Sequence, residues 1–106
     1  VIIRYCFIRL SPNFATDAGR AEAIAEARNL DTIAGIAVVA GVSADASAAS
    51  WDLSIAVHAE SMAMLNDATR TPTWGQFFEG YLGKRAAVNK AWNFATAAKV
   101  TSQLVE

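Results

Sequence analysis

The chain opens on a segment, Val1–Leu10, whose alternating rows are both largely apolar. Ile2, Cys6, Ile8 and Leu10 fill one row, interrupted by Arg4; Val1, Ile3, Tyr5 and Phe7 fill the other, ahead of Arg9. Rows of this kind predict a strand covered on both faces. Ser11-Pro12-Asn13 ends it as a turn. Thr16 then suits an N-cap, with Asp17 at the positive end of the helix dipole. The Ala-, Glu- and Arg-rich stretch Asp17–Leu30 predicts a helix whose narrow apolar stripe runs through Ala21, Ile24, Ala25, Ala27 and Leu30. Ile33–Val42 predicts a second strand. Trp51–Ala59 predicts a third, setting Trp51, Leu53, Ile55 and Val57 against Asp52, Ser54, Ala56 and His58. The polar, small-residue loop Ser43–Ser50 between them makes a β-hairpin the economical connection.

Ser61 is placed to cap a helix reaching Arg70, with Met62, Leu65 and Ala68 inward. Thr71-Pro72-Thr73 breaks it. Thr73 and Gln76 have capping-box spacing, Pro72 suits a helix start, and Gly83 is a C-terminal stop. Between them lies an aromatic helix, Trp74–Leu82. Ala87–Ala95 predicts the last strand, and Thr96–Glu106 carries little pattern.

The order β, α, β, β, broken α, β is that of the ferredoxin-like arrangement. It is an α+β fold: a four-stranded antiparallel sheet with helices on one face. We read residues 1–96 as one such domain and 97–106 as a C-terminal tail. Helices on one face leave the other sheet face bare, yet no strand is plainly polar on either side apart from the Asp52, Ser54 and His58 row. A row of bare apolar side chains forgoes roughly 1.5–3 kcal/mol each. A second copy packed sheet to sheet is therefore expected, closing the two layers into an α+β barrel.

Composition narrows the function. The chain has 106 residues, 54% hydrophobic and only 18% charged, with a net charge of −1. That is too apolar for a disordered chain and lacks the positive excess that neutralises nucleic-acid phosphates. The low charge also favours a homodimer over a monomer. No apolar run is long enough to span a membrane, no basic segment leads into an apolar one as in an export signal, and the expected compartment is the cytoplasm. The single cysteine, Cys6, makes no internal disulfide. No metal is expected, for want of a carboxylate or histidine cluster, and no cofactor, for want of a glycine-rich phosphate loop.

The chain resembles the stress-responsive A/B barrel family of dimeric α+β barrel proteins over roughly Ile2–Thr96. The resemblance rests on the opening strand Ile3–Leu10 followed by Ser11-Pro12, the hairpin ending in Trp51-Asp52-Leu53-Ser54-Ile55, and the helix entry Glu60-Ser61. The Pro72 break, the aromatic helix Trp74–Leu82 and the closing strand to Phe94 complete it. It implies a homodimer and a cleft between sheet and helices that holds a small, mostly apolar molecule. Plant polyketide cyclases of the family place histidines where this chain has Arg4 and Trp74. An arginine is no base near neutral pH and an indole only donates, so the resemblance does not carry that chemistry here.

Four residues are candidates for a site. Arg4 interrupts an apolar strand and needs a partner: Asp52, Glu79, or the carboxylate or phenolate of a ligand, which its planar fork fits. Trp74 and Tyr81 are candidate walls for an apolar or aromatic ligand, and equally candidates for core packing. His58, the only histidine, is the candidate acid/base residue and equally a surface residue at a strand end. The leading reading is a homodimeric small-molecule-binding protein. The alternative is a cofactor-independent monooxygenase or cyclase-like enzyme using His58, and a purely structural role is a third.

Overall fold

A computed structural model describes residues 1–96. The tail expected over 97–106 lies outside the described residues. Nine residues, Ile2–Leu10, form β1. Helix α1 covers Asp17–Ala27, with the Thr16 hydroxyl accepting from the Gly19 amide. A 3₁₀ turn, Arg28–Thr32, leads to β2, Ile36–Val42. Strand β3 is Leu53–Ala59, and helix α2 is Met62–Thr69, capped by the Ser61 hydroxyl. Helix α3 begins as an α-turn at Pro72–Gly75, widens to a π-helix over Gln76–Tyr81 and closes in a 3₁₀ turn, Leu82–Lys84. Strand β4 is Ala86–Ala95.

The four strands form one sheet in the order β2-β3-β1-β4, every pair antiparallel. The β2–β3 hairpin, the sheet and its helix-covered face agree with the sequence. Five local expectations do not hold, four in the helices and β2 and one, at Trp51, on the far sheet face. The first helix ends at Ala27, and its buried stripe is Ala23, Ala27 and Leu30, while Ala21 and Ala25 are exposed. The second strand starts at Ile36, because the only positive φ among the described residues, 77° at Gly35, turns the chain just before it. Met62 is exposed, leaving Leu65 and Ala68 as the inward face of α2. The cap of α3 is Thr71, whose hydroxyl accepts from the Trp74 amide with Pro72 in the first turn; the Thr73/Gln76 box is not used.

Under the helices the core is one cluster. Cys6, Ile8 and Leu10 of β1 and Leu53, Ile55, Val57 and Ala59 of β3 meet Ala23, Ala27 and Leu30, Leu65 and Ala68, and Trp74, Phe77 and Leu82. Alanines in α1 let that helix approach the sheet closely. A bulge between Arg9 and Leu10 ends the regular register with β4. On the other side of β1, just past the end of its pairing with β3 at Ile8–Leu53, the Leu10 amide donates to Asp52 Oδ2 at 2.7 Å, while Arg20 donates to Oδ1 at 3.0 Å. Asp52 thus ties α1 to the end of β1.

The opposite sheet face has no cover among the described residues. Tyr5, Val39, Trp92 and Phe94 are 36%, 65%, 48% and 55% exposed there. Trp51 joins this face rather than the buried row: it lies just before β3 and packs on Phe7, which also meets Trp92. No helix among the described residues is long and apolar enough to cross a membrane.

Candidate functional site

The register decides which candidates meet. On the helix side of β1 stand Arg4, Cys6 and Ile8, and Arg4 lies directly opposite Asn93 of β4. Arg4 Nε donates to Asn93 Oδ1 at 2.8 Å. Its guanidinium carbon lies 5.5 Å from the centre of the Trp74 ring, a cation–π arrangement. Trp74 in turn is 4.5 Å, centre to centre, from Phe78. Neither carboxylate expected for Arg4 pairs with it. Asp52 is taken by Arg20 and the Leu10 amide, and no ion pair among the described residues involves Arg4.

The helices stop short of β4. On its helix-side row Asn89, Ala91, Asn93 and Ala95 are all exposed, while Arg4 beside them is half-buried and Trp74 buried. The result is an open shelf: β4 is the floor, Arg4 and Asn93 its polar centre, Trp74 its wall. Cys6 lies farther in under the helices, and burial pushes its thiol up to about 11. It is therefore a protonated, inert group near neutral pH.

Tyr81 does not join Arg4 and Trp74. Its hydroxyl donates to Glu22 Oε1 of α1 at 2.7 Å, and its ring stacks on Phe77. The Arg85 guanidinium lies 4.0 Å from the ring centre and donates to the Tyr81 carbonyl at 3.1 Å. Burial first, and then the Glu22 carboxylate, push the Tyr81 phenol up to about 12. This cluster fastens α3 to α1 near the end of β1 where Arg85 backs the first turn.

His58 is on the far side of the sheet. It pairs with Ile3 and Ala37 in the register, so its side chain belongs to the uncovered face. It lines an open groove of about 410 Å³ with Val1, Asp31, Gly35 and Glu60, where β3 ends and β2 begins. His58 and Arg4 project from opposite faces of the sheet, and Arg4 does not line this groove. Sequence reasoning missed Asn93 as the partner of Arg4. The two are 89 positions apart, and only the β1–β4 register, invisible in the alternation of either strand, brings them together.

Fold and register define a ferredoxin-like protein with its helices on one face of the sheet. Solved structures share this fold over nearly the whole length. A dimeric ferredoxin-like protein from Thermobifida fusca YX superposes with a TM-score of 0.77 at 14% identity, covering 90% of each chain. A dabb family protein with a ferredoxin-like fold from Mesorhizobium loti MAFF303099 gives 0.76 at 10% identity, over 92% of this chain and 97% of that one. The hydroxynitrile lyase from Passiflora edulis gives 0.74 at 16% identity, over 92% and 94%. No family model and no curated protein matches the sequence. At these identities the likeness is one of fold, the fold that the resemblance to the A/B barrel family implies.

Proposed function

We propose that the protein works as a homodimer, closed through its bare sheet face, in which each protomer binds a small apolar or aromatic acid on the shelf formed by Arg4, Asn93 and Trp74. The observation that carries the binding reading is the state of Arg4. It is held in place and capped by an aromatic ring, but no carboxylate among the described residues neutralises it. A half-buried guanidinium with open Nη donors beside an indole suits a flat ring carrying a carboxylate or phenolate. The dimer reading is supported by the exposed Tyr5, Val39, Trp92 and Phe94, and by the dimeric state of the similar ferredoxin-like protein from Thermobifida fusca. The His58 alternative places its chemistry in the other groove, where no feature of the Arg4 shelf contributes; Tyr81 is assigned to holding α3 rather than to the ligand.

Titration of 2-naphthoate into ¹⁵N-labelled protein tests the binding reading. The expected result is saturable movement of the Arg4 Nε–H and Trp74 indole signals. No movement, or movement confined to His58 and its groove, would overturn it.

A further inference from the structure

Resting on that reading of the shelf, we propose that Asn93 sets its ligand class: it makes the shelf select organic anions over neutral molecules of the same shape. A cross-strand position opposite an arginine is a natural place for a carboxylate, since opposite charges facing each other across a strand pair stabilise the sheet. The chain instead places an amide there. Asn93 Oδ1 orients the guanidinium through Nε at 2.8 Å without cancelling its charge. Trp74 covers one face of the same group at 5.5 Å. Arg4 therefore stays fixed, with no carboxylate partner among the described residues, beside an exposed floor, and both Nη atoms remain for a ligand. An aspartate at 93 has the same shape and the same acceptor atom for Nε, but it satisfies the charge internally. The difference between Asn and Asp at this one position is the difference between a shelf that attracts an anion and one that does not.

The test uses two flat probes, 2-naphthoate and its uncharged isostere 2-naphthamide, titrated against the full chain and two variants. Wild type should bind 2-naphthoate at least tenfold more tightly than 2-naphthamide. Asn93→Asp offers Nε the same acceptor, so it should erase that preference, with the loss falling at least tenfold on the naphthoate affinity. Asn93→Ala loosens Arg4 but leaves its charge, so it should weaken both probes and preserve the preference. Unfolding midpoints in urea for the three proteins report whether the variants remain folded. Equal affinities for the two probes in wild type, or a preference that survives Asn93→Asp, would overturn the role of Asn93 while leaving the shelf as a binding site. Failure of both probes to bind would overturn the shelf itself and this inference with it.

Discussion

Replacing Arg4 with methionine separates a functional arginine from a structural one. In the structure Arg4 makes one hydrogen bond to a neutral amide and one cation–π contact. The hydrogen bond is worth about 0.5–1.5 kcal/mol and the ring contact about 0.5–1 kcal/mol. A methionine side chain follows much the same path, regains roughly 0.3–1.5 kcal/mol against the Trp74 ring, and removes the cost of partly desolvating an unneutralised charge. The opposing effects nearly cancel, so Arg4→Met should shift the unfolding free energy by no more than about 1 kcal/mol. An arginine holding a buried ion pair would instead cost about 3–5 kcal/mol on removal. Paired measurements decide the matter: urea unfolding of wild type and variant, and 2-naphthoate binding to both. Near-equal stability with at least a tenfold loss of affinity is the expected pattern. A loss of about 3 kcal/mol or more, or an unchanged affinity, would instead place the value of Arg4 in the fold rather than in ligand binding.

Three further outcomes follow from the same structure. Trp92 is 48% exposed; with about 250 Å² for a whole indole side chain and about 25 cal/mol per Å², covering that part is worth about 3 kcal/mol per protomer. Trp92→Ala should therefore weaken self-association at least a hundredfold by sedimentation equilibrium, whereas Met62→Ala, on the helix side, should leave it unchanged. Asp52→Ala strands the Leu10 amide and should lower the unfolding free energy by about 2 kcal/mol in urea melts. Cys6, 1% exposed with its thiol near 11, should resist a thiol-specific disulfide reagent at pH 8 until the chain unfolds. Because its folded pKa is raised, its contribution to stability is complete below its ordinary value of 9.0 and is lost as pH climbs through about 11; Cys6→Ala should flatten that part of the stability profile.

The fold was legible where pattern and packing coincide. Leu53, Ile55 and Val57 alternate with Ser54, Ala56 and His58, and the structure buries the first row completely. The same alternation put His58 on the face it occupies. What sequence could not show were effects decided at a distance. The π-helical winding of Gln76–Tyr81 leaves no mark in a run of aromatics. Trp74, in the α-turn ahead of it, lies over Arg4, while Tyr81 at its end lies beside Glu22, so two residues that read as walls of one pocket serve separate clusters. Asp52 looked like a partner for Arg4 because it is acidic and sits at a strand entry. The pairing of β1 with β3 stops at Ile8–Leu53, and the Leu10 amide just beyond it, with Arg20, claims the Asp52 carboxylate. Nothing local marks Asn93, whose importance comes wholly from the strand pairing that sets it across from Arg4.

In the proposed dimer the bare face bearing Tyr5, Val39, Trp92 and Phe94 is closed by a second copy of this chain. Sedimentation equilibrium of the wild-type protein across micromolar concentrations tests this most directly. The expected particle has twice the 11.3 kDa chain mass. A single 11.3 kDa species at every concentration, with the Trp92 indole still open to water, would contradict it.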